Sequence, residues 1–268
     1  MTKAFSIFER FRPGKPLVGT VAPSLQDATR LYVVGDIHGR LDCLDDLLAR
    51  IEADRAGYEG PVEYIFLGDL IDRGPDSAGV VDRLLTLSQA ATPTRVLMGN
   101  HEEVMLVAMS GDRGALAMFE RIGGRATMRS YGIDLAAYDA MAIDDRITAL
   151  ARAVPEEHLA FVSAFQDAIV IGDYRFVHAG VRPGVDFDRQ KTADLRWIRS
   201  EFLDHDAPFD GMIVHGHTVT EDVTRRTNRI GIDTGAYRSG RLTSLVLEGA
   251  TQRFLQTHLP ARADRAKA

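Results

Sequence analysis

The sequence holds one cysteine, Cys43, in 268 residues. That excludes an intrachain disulfide framework and a thiolate metal cluster, and it suits a reducing compartment. The single tryptophan, Trp197, reads as a core residue rather than a substrate platform. No apolar run is long enough to span a bilayer. The opening MTKAFSIFERFRPGKP has an apolar patch too short for a signal peptide, and Glu9, Arg10 and Arg12 follow at once. The expectation is a cytoplasmic protein with no membrane partner. Positive charge is also scarce: 32 Lys and Arg against 38 Asp and Glu give a net charge of −6. A general nucleic-acid surface is therefore excluded, whereas a local basic pocket is not. The chain has neither an internal repeat nor a low-complexity stretch.

What is present is one layout, used repeatedly. RVLMGNHEE (Arg95 to Glu103) is a short apolar run, a glycine, and then the polar pair Asn100 and His101, with a helix-forming run behind them. An apolar β-run that ends at a glycine and delivers polar groups is the pattern of a strand tip. LYVVGDIHG presents Asp36 and His38 in the same way, and YIFLGDLIDRG presents Asp69, Asp72 and Arg73. Helical spacing follows each of the first two strands, at Leu41 to Ile51 and at Ser77 to Leu87. The β-loop-α order predicts an α/β protein with a largely parallel, helix-covered sheet, whose ligands sit beyond the carboxyl ends of the strands.

Residues 1–29, with Pro13, Pro16 and Pro23, read as a mobile lead-in; a basic docking segment (Lys3, Arg10, Arg12, Lys15) is the sharper alternative. Residues 102–165 read as a helical insertion, either structural filling or a cap over the cleft. After residue 166 the chain is rich in strands. Ala168–Ile171 and Tyr174–His178 flank Gly172-Asp173 as a hairpin, and HAG brings His178 to its tip. Thr192 to Leu203 reads as one helix. Gly211–Val214 is a strand ending in HGHT (His215, His217), and further strands follow at Arg229–Asp233 and Leu242–Leu247. The predicted domain runs over 30–257, as two sheets packed face to face with helices outside, and 258–268 form a frayed tail.

Asp36 and His38 lie two apart, so an extended backbone puts both on one side, able to share an ion. Asp69 is placed to bridge two ions, and Asn100, His178 and His217 add oxygen and nitrogen donors. Mixed carboxylate, imidazole and amide ligands suit manganese, iron or zinc better than calcium or copper(I). Taken singly, each motif has a plain structural reading: a surface pair, a tight turn, a helix cap, a glycine bend. Five motifs in order, each behind a predicted strand, point to one site.

Together GDIHG, GDLIDRG, GNHE, HAG and HGHT resemble the phosphoprotein phosphatase branch of the metallophosphoesterases, in arrangement most like the bacterial and phage serine/threonine phosphatases. The resemblance covers Leu31 to Leu247. It implies a four-layer α/β/β/α sandwich of two mixed sheets. It implies two metal ions, manganese first with iron or zinc as alternatives. One ion would sit on Asp36, His38 and Asp69, the other on Asp69, Asn100, His178 and His217. By the same resemblance a metal-bridging hydroxide attacks in line, His101 is the general acid, and Asp72 orients it. Arg73 and Arg199 bind phosphate beside Asn100, and Tyr237 lies next to the site. Val219 stands where wider relatives carry a further histidine ligand, so His215 is read either as a support behind the ligands or as a packing residue. The implied substrate is a phosphoprotein or phosphopeptide carrying phosphoserine or phosphothreonine, with phosphotyrosine as an extension. A diadenosine tetraphosphatase and an inactive phosphoprotein-binding scaffold are the alternatives. Relatives of the dinucleotide type carry alanine at the Asp72 position and GNHD for GNHE, so Asp72 and Glu102 favour the protein phosphatases.

Overall fold

The computed structural model describes residues 22–25 and 28–261. The basic docking segment, most of the predicted lead-in and the end of the predicted tail lie outside the described residues. Of the lead-in that is described, Leu25 is 3% exposed and its N–H donates to the Gly249 carbonyl at 3.0 Å, so that stretch is docked rather than loose.

The first half follows the expected alternation. β1 (Arg30–Val34) leads to α1 (Leu41–Arg55), β2 (Val62–Phe66) to α2 (Ser77–Ser88), and β3 (Thr94–Val96) to α3 (Asn100–Met109). The insertion continues through α4 (Arg113–Phe119), a π-turn at Glu120–Gly124, α5 (Arg125–Ser130), α6 (Leu135–Asp139), α7 (Ile143–Ala153) and α8 (Glu156–Ser163). β4 (Ala168–Ile171) and β5 (Tyr174–Val177) form the expected hairpin, antiparallel with Ile171 opposite Tyr174. Then come α9 (Thr192–Trp197), α10 (Ser200–Leu203), β6 (Met212–His215), β7 (Thr224–Arg225), β8 (Arg229–Gly231), α11 (Ala236–Ser239), β9 (Thr243–Glu248) and β10 (Thr251–Gln256).

Two mixed five-stranded sheets result, in the orders β10-β9-β1-β2-β3 and β4-β5-β6-β8-β7. Within the first, β1, β2 and β3 run parallel; within the second, β5, β6 and β8 do. Side-chain alternation along the strands then builds four layers. Leu31 and Val33 of β1 face inward, with Ile65, Leu67, Leu245 and Leu247, onto Ile169, Phe176, Val214 and Ile230 of the second sheet. Tyr32 and Val34 face outward, onto Leu44, Leu47, Val80, Val81 and Leu84 of α1 and α2. On the far side, Val177 and Ile213 pack under Leu195 and Phe202 of α9 and α10. Each fully buried aliphatic side chain contributes about 1.5–3 kcal/mol, so these three apolar layers hold the strand tips in register.

One expectation needs correction, and two strands have no sequence pattern that announces them. Thr192–Leu203 is two helices, not one: Arg199 at φ −132°, ψ −98° leaves helical geometry and separates α9 from α10. β7 is a two-residue strand with no apolar run to announce it. β10 reads TQRFLQ, mixed in polarity, because it is an edge strand and only half-buried.

Candidate metal centre

The parallel strands of both sheets end at one place. Asp36 and His38 follow β1; Asp69, Asp72 and Arg73 follow β2; Asn100 and His101 open α3 behind β3. From the second sheet come His178 after β5, His217 after β6 and Asp233 after β8. Among the described residues, the non-glycine positions with positive φ are His38 (49°), Asp69 (51°), Asp72 (73°), Arg73 (66°) and His217 (61°). All five belong to this cluster. A left-handed backbone costs a side-chain-bearing residue about 1–2 kcal/mol, and such strain collects at functional sites.

Hydrogen bonds hold the tips in those conformations. The Glu102 carboxylate is fully buried and accepts from the N–H groups of Asp69 (2.9 Å), Leu70 (2.8 Å) and Gly99 (3.1 Å). It therefore ties the β2 tip to the start of α3. Burial, reinforced by Asp69, lifts its pKa to about 7. Gly99 is needed there, because a Cβ would meet the Asp69 N at 2.3 Å. His38 Nδ1 bonds the Ile71 carbonyl at 2.7 Å, and His178 Nδ1 bonds the Leu67 carbonyl at 2.7 Å. A carbonyl only accepts, so both rings carry their proton on Nδ1 and present a bare Nε2.

Those nitrogens converge on Asp69, 2% exposed. His38 Nε2 is 3.5 Å from Asp69 Oδ2, and His178 Nε2 is 3.4 Å from Oδ1. Asn100 Oδ1 lies 3.1 Å from His178 Nε2 and 2.8 Å from His217 Nδ1. As placed, the Asn100 carboxamide oxygen faces the bare Nε2 of His178, so two acceptors meet where a cation would sit between them. His217 Nε2 is buried with no partner among the described residues. Two sets of potential ligand atoms each fit within 4.8 Å and share Asp69: His38, Asp69, His101 and Asp69, His178, His217. The donor set therefore fits metal ions. Asp36 stands apart: both of its oxygens accept the His217 N–H, at 3.1 and 3.0 Å. The expected first set, Asp36, His38 and Asp69, is thus joined through His38 and Asp69. Gly216 permits the Asp36 contact, since a Cβ would stand 2.0 Å from Asp36 Oδ1.

Burial and charge set the protonation states. Burial lowers His38, His178 and His217, the last to about 2, so all three stay neutral and able to ligate. Burial raises the Asp69 carboxyl, but any proton held by the histidines around it, His178 first, lowers it by more, so Asp69 stays ionised below the usual range. Burial, with repulsion from Asp233 and Asp69, raises Asp36; burial, with repulsion from Asp69, takes Asp233 to about 6. His101 is lowered by burial and raised more by Asp69 and Asp72, which favours its imidazolium once Arg73, whose guanidinium donates to Nε2 here, moves away. Its Nδ1 bonds Asp72 Oδ2 at 2.6 Å.

Arg73 crosses this cluster. Its guanidinium donates to His38 Nε2 and to His101 Nε2, each at 2.8 Å, and stacks 4.9 Å from the Tyr237 ring. Tyr237 also meets the His38 ring edge-on at 5.5 Å. Arg199 is exposed at the rim and reaches Thr218 Oγ1 at 3.5 Å. His215 packs edge-on against Phe202 at 5.0 Å, facing the outer helical layer. Sequence reasoning missed three members. Asp233 follows an apolar strand just as the other tips do, a signal that was available. Ser77 and Thr127, which bond the Asp72 N–H at 3.0 and 2.9 Å, carry no local signal.

A cluster of buried carboxylates and neutral imidazoles at the carboxyl ends of two facing sheets, with an Asp–His pair and arginines at its mouth, defines a metal-dependent phosphoester hydrolase. Residues 29–239 match the calcineurin-like phosphoesterase family, and the chain belongs to it. Serine/threonine-protein phosphatase 1 of Salmonella typhimurium is 29% identical over 218 residues, covering 80% of this chain and 89% of that protein. The symmetrical bis(5'-nucleosyl)-tetraphosphatase of Acidovorax sp. strain JS42 is 43% identical over 84 residues, 31% of this chain; the match spans only 27% of that relative's length. In fold the chain is similar to a crystal structure described as a candidate diadenosine tetraphosphatase, with a TM-score of 0.61, 22% identity and coverage of 88% and 99% of the two chains.

Proposed function

We propose that this protein is a dinuclear-metal phosphomonoesterase acting on phosphoserine and phosphothreonine in proteins, with manganese as the metal and the cytoplasm as its setting. The observation that carries the reading is the His101–Asp72 pair, 2.6 Å apart and buried beside Asp69. A seryl or threonyl alkoxide is a strong base and leaves only if it is protonated. A terminal phosphate, with a second pKa of about 6, leaves without such help. A site that invests in a buried imidazolium is built for the alkoxide.

Asp36, His38 and Asp69 would hold one ion, and Asp69, Asn100, His178 and His217 the other. When bound, the pair supplies Lewis acidity and a water acidic enough to ionise near neutral pH. The chain's own groups do the rest. Arg73 and Arg199 pair with the phosphoryl oxygens, which a guanidinium does bidentately. The guanidinium of Arg73 has to leave His101 Nε2 for this, because that nitrogen cannot both accept from arginine and carry its own proton. The water oxygen then bonds to phosphorus as the bond to the seryl oxygen breaks. That oxygen keeps the electron pair and takes the Nε2 proton of His101. Serine and inorganic phosphate result, and His101 regains a proton from solvent.

A second reading, hydrolysis of a dinucleoside tetraphosphate, has support from the tetraphosphatase of Acidovorax sp. strain JS42, 43% identical over 84 residues. Assaying manganese-loaded protein on a phosphoserine peptide and on diadenosine tetraphosphate, each with and without chelator, separates the two. Chelator-sensitive turnover of the peptide is expected. Preference for the dinucleotide promotes the second reading, and peptide binding without turnover of either promotes the scaffold.

A further inference from the structure

We propose that Thr127, on α5 of the helical insertion, is a positioning residue for proton delivery to the leaving group: it fixes Asp72, and through Asp72 it fixes His101. The inference rests on the phosphomonoesterase reading and deepens it. Asp72 is fully buried and held at both carboxylate oxygens: Oδ2 by His101 Nδ1 at 2.6 Å, Oδ1 by the Thr127 hydroxyl at 2.6 Å. The same hydroxyl oxygen accepts the Asp72 N–H at 2.9 Å, and Ser77 Oγ accepts it at 3.0 Å. Ser77 Oγ and Thr127 Oγ1 are 2.8 Å apart. An ionised carboxylate only accepts, so the one hydroxyl proton of Thr127 goes to Oδ1. Ser77 then donates to Thr127, and every polar atom of the ring is used.

This ring does two things that His101 cannot do for itself. It fixes the plane of the Asp72 carboxylate from the side opposite the imidazole. It also satisfies the N–H of a residue in the left-handed region, φ 73°. The insertion grips the next residue as well: the Arg73 N–H, at φ 66°, donates to the Gly123 carbonyl at 3.2 Å. Thr127 is itself fully buried, so it acts on substrate only through Asp72. The helical insertion is therefore the outer wall of the acid pair, and its sequence tunes that pair.

The experiment uses the full chain, manganese-loaded, with two aryl esters of the same phosphoryl group, phenyl phosphate and 4-nitrophenyl phosphate. Phenolate is the more basic leaving group and depends more on the acid. With Thr127→Val, kcat on phenyl phosphate should fall about tenfold or more, kcat on 4-nitrophenyl phosphate less than about threefold, and KM for both should stay within about twofold. Thr127→Ser, which keeps the hydroxyl, should recover most of the loss. In an Asp72→Asn background, Thr127→Val should add nothing further. Thr127→Ala carries the same comparison if valine prevents folding, and elemental analysis should find the parent's metal content in each variant. Equal losses on the two esters, no rescue by serine, or a full additional loss on Asp72→Asn would overturn the inference while leaving the enzyme class intact. A parent that turns over neither ester would overturn the phosphomonoesterase reading and this inference with it.

Discussion

The two sheets aim their parallel strand ends at one point, but they hold their side chains by different means. The first sheet presents Asp69, Asp72 and Arg73 on left-handed backbone, with the two carboxylates anchored by buried side chains: Glu102 under Asp69, Ser77 and Thr127 under Asp72. The second sheet presents imidazoles, and those are anchored on the first sheet. His178 hangs from the Leu67 carbonyl at the end of β2, and the His217 N–H sits on Asp36. The first region is thus self-supporting and carries the proton chemistry. The second is registered against it and supplies neutral nitrogen donors. The acid pair and four of the five left-handed non-glycine residues belong to the first wall; the second supplies His178, His217 and the buried Asp233, with His217 the fifth left-handed residue.

That division makes unequal predictions. Asp69→Asn, at the shared position, should lose both metals by elemental analysis and at least about a thousandfold in kcat. A fully metallated Asp69→Asn protein would break the bridge assignment. His178→Ala, on the second wall, should bind one ion per chain while the other weakens by at least about a hundredfold, measured by titration with a metal indicator. Loss of both ions together would show that the walls are not separable. His101→Asn should keep both metals and lose about a hundredfold in kcat. An unchanged kcat would remove the acid role from the first wall.

The smallest effect concerns His215, which faces away from the ligands. Burial lowers its pKa to about 4, against about 6.5 for an exposed imidazole. Between those values the unfolded chain binds a proton that the folded protein refuses, so stability is complete above about pH 6.5 and falls as pH drops toward 4. The slope is about 1.4 kcal/mol per pH unit for one histidine. Melting temperatures of metal-free protein from pH 7 to 5 should fall less steeply in His215→Leu than in the parent. Parallel slopes would show that His215 takes its proton in the folded state too.

The elements that were legible are those whose information is local. β1 was expected at Leu31–Val34 and is found at Arg30–Val34, because an apolar, β-branched run bounded by glycine states both its period and its end. The Gly172-Asp173 hairpin was legible for the same reason. The break before Arg199 was not, since helical spacing continues through it while the backbone bends to bring Arg199 to the site's rim. β10 was missed because an edge strand needs no alternation, and β7 because two residues have no period.

The sequence by itself determined the donor types, their order and their place at strand tips, because a strand's period of two and a glycine at its end are read within a few residues. Only the tertiary structure decided which groups those donors meet. Thr127 reaches Asp72 across 55 residues, and the His217 N–H reaches Asp36 across 181. The Ile71 and Leu67 carbonyls choose the tautomers of His38 and His178. Contacts at such separations are set by how buried layers pack, and no local spacing encodes that packing.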